Sequence, residues 1–581
     1  MTGTRRGAFL VAALALLSAA PGARADDPIM PLSEVRSGMD CRGLSVVRGT
    51  DIASFDVEVL DVVDGGLGAR ILVRTSGPAV DESGMGAGFS GSPVLCRDDR
   101  GVEKNAGAIS EGLGDYGNRL ALVTPIEAVL GTPVDPPVGA SRLAPREGGR
   151  APLRAPLTVA GLAPLTRRLA SEAARRGGLP LIVSPAARPR IDYPPQELRP
   201  GASVAAGISS GDVGLSSIGT VTYVSGSSVW GFGHALDAAG RRSLLLQDAY
   251  VYTVVPNPSL ALGGSYKLAA PGHDLGTLTS DSFDAIAGTL GTLPEQTTLR
   301  LHTRDLDRDT LRVSVIRFAD ETAVGTPAGA SPFQSAGSFA VADAAIRALG
   351  SNPARQSASM CVRVRVAGQD RPLRFCNRYA VGGPQHDPSS GTMAFVLADD
   401  FARGTALIDD TILPGLRVES ADVSMGLRRG VRQAVILEAS APRTVRRGRR
   451  VPVSLRVRVV RGPRRTLRFR LRVPHDAGRG RRVLRLTGAP LDSGEGGFGE
   501  LVLELFEEPD TLDDPRPRTF GQLARRFRRI GRYDGVRAHF ARPDEEEGGG
   551  PEGGAPELGR RAFRHPELRL TGQASVDVRV R

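Results

Sequence analysis

Apolar and polar residues alternate at a period of two through most of the chain. Phe55-Asp56-Val57-Glu58-Val59 sets the pattern: apolar side chains on one face, carboxylates on the other, as in a half-buried strand. Ile71-Leu72-Val73, Val94-Leu95-Cys96, Ala106 to Ile109 and Leu120 to Val123 continue it, separated by Gly/Ser-rich turns. About six short strands in 26–135 predict a small barrel or sandwich. Pro125-Ile126-Glu127 then opens a short helix ending near Leu130, with proline in the first turn where its missing N–H costs nothing. A second block of strands occupies 203–300. Gly219 to Val224 and Val229 to Phe232 flank a Ser225-Gly226 turn, a hairpin signal, and Leu244 to Val255, Leu275 to Leu278 and Ile286 to Gly288 follow.

The segments around these blocks read differently. Residues 136–202 are rich in Pro, Gly and Arg and predict a linker with one small helical element, Leu165 to Arg176. Residues 301–400 form a β-rich domain: Leu311 to Val315 alternates, a helix covers Val341 to Leu349, and Cys361 to Cys376 brackets a hairpin. Over 401–581, Val451 to Val459 pairs naturally with Leu467 to Val473, with arginine on one face and Val/Leu on the other. That is the outer sheet of an immunoglobulin-like β-sandwich, its arginines a solvated face. A disordered acidic and glycine-rich insertion is expected near 543–557.

Composition sharpens this picture. The 581 residues contain 72 Gly and 42 Pro and are only 5% aromatic, which favours short strands and turns over long helices. The formal net charge of +12 comes almost wholly from arginine, Lys104 and Lys267 being the two lysines. The arginines are spread through strand patterns, so no nucleic-acid partner is expected. Residues 1–25 read as a signal peptide: Arg5-Arg6, an apolar run from Ala8 to Ala20, and Ala23-Arg24-Ala25 as a cleavage site. No other stretch approaches membrane-spanning length, so the mature chain is expected to be exported, periplasmic or extracellular, without a transmembrane segment. In that compartment an even cysteine count predicts disulfides. Cys361 and Cys376 face each other across the hairpin, and Cys41 and Cys96 pair by elimination. With no C-x-x-C and no neighbouring histidine, neither a metal site nor a cofactor is expected.

Candidate chemistry begins at Gly88-Phe89-Ser90-Gly91-Ser92-Pro93. Glycines on both sides let the backbone turn sharply and present the Ser90 hydroxyl, with the N–H groups of Gly88 and Ser90 placed to form an oxyanion hole. A plain β-turn is the competing reading. A serine nucleophile needs a base, and of seven histidines His234 stands apart, at a strand end behind Gly231-Phe232-Gly233 where the ring can enter a cleft. Lysine is scarce enough that Lys104, just past the serine strand, or Lys267, after Ser265-Tyr266, is a rival base.

Both motifs and their flanks resemble the SpoIVB peptidase family of sporulation-type serine peptidases. That family's F-D-[IV]-E-[IV] strand is matched by Phe55 to Val59, its G-M-S-G-S-P by Gly88 to Pro93, and its P-I-E helix start by Thr124 to Glu127. Its G-T-[LV]-T-[FY] strand and G-x-G-H turn are matched by Gly219 to Tyr223 and Gly231 to His234. The order differs, because here the serine block precedes the histidine block, as in a circular permutation. No PDZ-like module is evident, and Phe89 stands where the family has Met. The stretch that carries an acid in the family reads Thr75-Ser76-Gly77-Pro78 here, without a carboxylate. Asp81, Asp281 and Asp212 are the candidates left for the third member, or a backbone carbonyl orients the ring in a Ser-His dyad. The resemblance implies a mainly β chain with a chymotrypsin-like double β-barrel in permuted order. It implies a serine endopeptidase acting through Ser90 and His234 on a protein or peptide substrate, the chain itself included. The competing expectation is a non-catalytic protease-fold protein that binds a partner in the cell envelope.

Overall fold

The computed structural model describes residues from Asp27 onward, except 65–67, 114–118, 137–154, 187–190, 258–263, 323–330, 383–391, 412, 414, 490–501, 503–515, 531–533 and 544–559. The signal peptide, and all but the first residue of the acidic insertion expected at 543–557, lie outside the described residues.

The first strand block closes on itself. β1 (Asp40–Arg48), β2 (Asp51–Asp64), β3 (Ala69–Ser76), β4 (Pro93–Arg97), β5 (Glu103–Leu113) and β6 (Leu120–Pro125) form a barrel in the order β1-β2-β3-β6-β5-β4, with α1 (Ile126–Leu130) behind it. The alternation in β2 decides what faces inward: Phe55, Val57 and Val59 are buried while Asp56 and Glu58 are exposed. They meet Ile71, Val73, Phe89, Val94, Ala121 and Val123 in one core. The seam that closes the barrel is short, three residue pairs between β1 and β4, and the Cys41–Cys96 disulfide lies across it.

The second block repeats the arrangement. Its strands are β9 (Ser203–Gly211), β10 (Gly214–Ser225), β11 (Ser228–Gly231), β12 (Gly240–Val255), β13 (Tyr266–Asp281) and β14 (Ile286–Leu290). β9 pairs with both β10 and β12, so the six strands form a closed ring of pairings, β9-β10-β11-β14-β13-β12. Numbered within each block, this is the same order as the first barrel. Val204, Val221, Phe232, Leu244, Leu245, Leu278 and Ile286 fill its core.

The part of the expected linker that is described is not a passive spacer. β7 (Leu157–Ala160), α2 (Pro164–Gly177) and β8 (Leu181–Val183) extend the sheet beyond β10. On the other side, β16 (Thr310–Ala319) pairs with β9 and continues the sheet into β15 (Gln296–Asp305), β19 (Val418–Arg429), β17 (Arg355–Val366) and β18 (Leu373–Gly382). Two helices, α3 (Pro332–Leu349) and α4 (Thr392–Asp409), pack with α2 on this sheet in the largest core, where Phe333 lies 5.5 Å from Phe401. The boundary expected at 400/401 falls inside α4, and the β-rich region carries helices on its sheet, α3 covering the helix expected at Val341 to Leu349. Cys361 and Cys376 are direct partners across β17 and β18 and form a disulfide.

The C-terminal part is a two-sheet sandwich. β20 (Gln433–Ser440), β22 (Arg450–Val459), β23 (Arg464–Arg472) and β27 (Arg569–Thr571) form one sheet. β21 (Thr444–Val445), β24 (Gly480–Thr487), β25 (Val536–Ala541), β26 (Arg560–Phe563) and β28 (Gln573–Val580) form the other. Leu455, Val457, Leu484, Leu486 and Leu570 fill the space between, and the arginines of β22 and β23 point outward. Between β24 and β25 the chain leaves the sandwich: helix Phe520–Ile530 packs on β18 and α4, with Phe527 5.3 Å from Phe375.

The Cys41–Cys96 bridge spans 55 residues, for which loop-closure entropy gives roughly 4 kcal/mol. Cys41→Ala/Cys96→Ala should thus lose up to about that much stability in a denaturant titration, with the loss confined to the first barrel. An unchanged midpoint would mean that the three-pair seam closes the barrel unaided.

Candidate active site

Ser90 lies in the connection between β3 and β4, and the other barrel holds that connection by its backbone. Thr220 of β10 donates its N–H to the Ser90 carbonyl (2.8 Å) and its hydroxyl to the Gly88 carbonyl (2.9 Å). The Thr222 hydroxyl donates to the Gly91 carbonyl (2.8 Å), and the Lys267 N–H to the Ala87 carbonyl (2.9 Å). Two glycines of the motif are dictated by this close docking. Gly91 has φ +91°, and a Cβ there would overlap the Thr220 carbonyl oxygen. Gly88 has φ +95°, and its Cβ would press on the Lys267 stem at 2.9 Å. Phe89 is buried in the barrel core, edge-on to Phe55 at 6.4 Å.

The same hydrogen bonds set where the loop's N–H groups point. The carbonyl of the Ala87–Gly88 peptide is claimed by Lys267. The carbonyl of the Phe89–Ser90 peptide is claimed by Ser92, through its N–H (2.9 Å) and its hydroxyl (2.6 Å). In a trans peptide the N–H points opposite to the C=O, so the N–H groups of Gly88 and Ser90 face away from these anchors. Among the described residues neither donates a hydrogen bond.

His234 follows a turn that rests on the serine barrel. Gly233 packs against Ala108 and Ile109 of β5, and its carbonyl accepts the Thr124 hydroxyl (2.8 Å). Phe232 adopts φ +66°, a left-handed conformation costly for a residue with a side chain and held here by full burial. The His234 Nδ1 lies 2.6 Å from the Ala235 carbonyl, which can only accept. Nδ1 therefore carries the hydrogen, and Nε2 keeps the lone pair a base requires. Burial lowers the His234 pKa below its ordinary 6.5, partly offset by the Ala235 bond, so the ring is neutral at pH 7. Serine loop and histidine turn meet where Gly91 abuts Phe232. Among the described residues no hydrogen bond joins Ser90 Oγ to the ring. Catalytic hydrogen bonds are often loose without substrate.

The three carboxylates proposed as the third member do other things. Asp281 is fully buried in the histidine turn but bonds its backbone: it accepts the N–H groups of Leu236 (2.7 Å), Asp237 (3.1 Å) and Ala239 (3.2 Å). Burial, with Asp237 beside it, pushes its carboxyl up to about 7. Arg242, bidentate on Glu321 (2.7 and 3.1 Å) and 2.7 Å from Asp237, locks the same turn. Asp212 accepts the Val315 N–H (2.7 Å) at the β9–β10 turn, and Asp81 pairs with Arg119 on the surface (3.1 Å). None of the three bonds the imidazole, and the Ala235 carbonyl orients the ring in their place.

The lysines separate just as clearly. Lys104 pairs with Glu34 (3.0 Å) and Asp98 (3.2 Å). Lys267 is 1% exposed beneath the serine loop, its Nζ 2.7 Å from Ser45 Oγ and 3.1 Å from Thr220 Oγ1. Sequence reading singled out neither Ser45 nor Thr220, since nothing in a strand pattern says which hydroxyls will surround a buried amine. It also passed over His273, whose Nδ1 lies 3.0 Å from the buried Asp248 carboxylate. That carboxylate also accepts Tyr193 Oη and the Gln196 N–H, both at 2.8 Å, which ties the 191–196 segment to the second barrel.

Compared with protein families, with curated proteins and with solved structures, the chain matches none.

Because Asp281 serves three backbone N–H groups, Asp281→Ala should cost about 2–4 kcal/mol of stability by denaturant titration, through the donors it orphans in a buried turn. A ring-orienting acid would behave differently. Its loss would spare stability and lower only the reactivity of Ser90.

Proposed function

We propose that the chain is an exported serine endopeptidase of the SpoIVB type, with Ser90 as nucleophile and His234 as general base. The observation that carries this reading is the convergence of the five resembling segments. Phe55 packs on Phe89, Thr220 and Thr222 hold the serine loop, and Thr124 holds the peptide that precedes His234. Two six-strand rings of identical order, meeting at this junction, support a chymotrypsin-like double barrel whose halves are exchanged along the chain. Two disulfides and the N-terminal leader pattern support export.

In the mechanism that follows, Ser90 Oγ attacks the scissile carbonyl carbon while His234 Nε2 takes its proton. The tetrahedral oxygen is received by the N–H groups of Gly88 and Ser90. Collapse breaks the C–N bond, the imidazolium returns the proton to the leaving amine, and water repeats the sequence on the acyl-enzyme. A Ser-His dyad suffices for these proton transfers, with the Ala235 carbonyl fixing the tautomer.

A second reading, a protease-fold protein that binds an envelope partner without cleaving it, is favoured by one observation: no carboxylate reaches the ring among the described residues.

A fluorophosphonate probe separates the two. The wild type should be labelled on Ser90, Ser90→Ala should not be, and His234→Ala should react about a hundredfold more slowly or worse. The neutral imidazole is the active form, so labelling should fall as pH drops through the His234 pKa, with a midpoint below 6.5. Labelling that persists in Ser90→Ala removes the assignment, and a wild type that stays unlabelled across neutral pH selects the binding protein.

A further inference from the structure

Lys267 is a buried titratable group beside the serine loop that this mechanism leaves unused. Its amine is enclosed by the Ser45 hydroxyl on β1, the Thr220 hydroxyl on β10 and the ring of Phe89, 4.9 Å from Nζ. Among the described residues no carboxylate pairs with it, and the neighbouring titratable side chain on β13, Tyr266, is the residue just before it. An unpaired buried amine is costly, and methionine would fill the same space without that cost.

The hydroxyls around it form two short chains to the serine loop. Ser92 Oγ lies 2.6 Å from the Phe89 carbonyl and 3.0 Å from Ser45 Oγ. A carbonyl only accepts, so Ser92 gives its single hydrogen to Phe89; Ser45, which also lies 3.2 Å from Thr220 Oγ1, gives its hydrogen to Ser92 when the Thr220 oxygen receives the ammonium. Thr220 likewise gives its hydrogen to the Gly88 carbonyl and accepts from Lys267. An ammonium completes both chains: it donates to Ser45 and to Thr220 and turns its third hydrogen toward the Phe89 ring. A neutral amine has two hydrogens and could keep both chains only by turning its lone pair onto the π face of Phe89, which repels it; accepting the Ser45 hydrogen instead breaks the Ser45–Ser92 link.

We infer that Lys267 is a positioning residue for the serine loop: through Ser45–Ser92 it fixes the Phe89 carbonyl and so aims the Ser90 N–H opposite it at the reacting carbonyl, and through Thr220 it holds the adjoining Gly88–Phe89 peptide, whose N–H is spent on the Gly86 carbonyl. This rests on the peptidase reading above. It is distinct from a Ser-Lys dyad, since among the described residues the amine bonds Ser45 and Thr220 and not Ser90.

Burial, with no opposing charge, lowers the Lys267 pKa to about 7. The protonated form is the one that completes both chains, so the positioning is in place below that pH and is lost above it. With His234 setting the acid limb, Ser90 reactivity should peak between the two transitions.

The test uses the full chain labelled with ε-carbon-13 lysine, which has two such residues, so Lys104→Arg leaves the Lys267 resonance alone. That resonance should titrate near 7, and the amide resonances of Ser90 and Phe89, on the two peptides it holds, should move with the same midpoint. The rate of fluorophosphonate labelling should fall above that pH. Lys267→Met should slow it about tenfold and abolish the alkaline limb, and Ser92→Ala, a milder change should Lys267→Met misfold, should uncouple the Ser90 amide from the lysine titration. A lysine that titrates in its ordinary range, or amides indifferent to its titration, overturns the inference. So does labelling that rises with a midpoint near 7, which makes Lys267 the base instead. An unlabelled wild type whose amides still follow the lysine leaves the positioning intact and removes the peptidase reading.

Discussion

Everything at the candidate site depends on the docking of the serine loop, by its carbonyls, onto a strand of the other barrel. The carbonyls of Ala87, Gly88, Ser90 and Gly91 are received by Lys267, Thr220 and Thr222 of the second barrel, and that of Phe89 is received within the loop. A peptide has two polar ends, and fixing the carbonyl inward directs the N–H outward. The barrels therefore do more than bring two side chains together. Their interface sets the direction of the dipoles that a reacting carbonyl would meet. The two glycines follow from this constraint, since any side chain at Gly88 or Gly91 would push the strand away.

The same interface gives Phe89 two contacts at once. Phe89 fills the first barrel's core against Phe55, and its ring covers the Lys267 amine. A flexible thioether would fill the core but offer less to a buried cation than an aromatic face does. Phe89 and Lys267 form one unit, half from each barrel.

What was legible in the sequence was local or periodic. The β2 alternation, the Ser225-Gly226 hairpin and the Cys361–Cys376 hairpin depend on neighbours a few residues apart, and each stands where the pattern puts it. Ser90 and His234 were legible because sharp backbone turns demand glycines. What failed to show depends on distant partners. A carboxylate near the histidine turn could orient a ring or satisfy backbone N–H groups, and composition cannot distinguish these. Asp281 does the second. Helix α4 puts a carboxylate on its buried side, Asp400 against Asn377 and Tyr379, so its sequence carries little of the helical period that identifies a surface helix. Helix Phe520–Ile530 has that period strongly, but it sits inside what reads as a sandwich, and only its packing on β18 and α4 explains its apolar face.

The bonds at the candidate site do not depend on the order of the two blocks along the chain. Each block is a six-strand ring in the same internal order, and the bonds that build the site run between rings, not along the chain. Thr220 grips the serine loop and Thr124 grips the histidine turn, one contact in each direction. Such an interface has no memory of which ring is synthesised first. What it needs is a connection long enough to pass from one ring to the other, and the residues between β6 and β9 provide that while also lending β7 and β8 to the sheet edge. Chain order is therefore a weak criterion for a site of this kind. The reciprocal threonines and the glycines they press against are the stronger one, because exchanging the blocks leaves every one of those contacts in place.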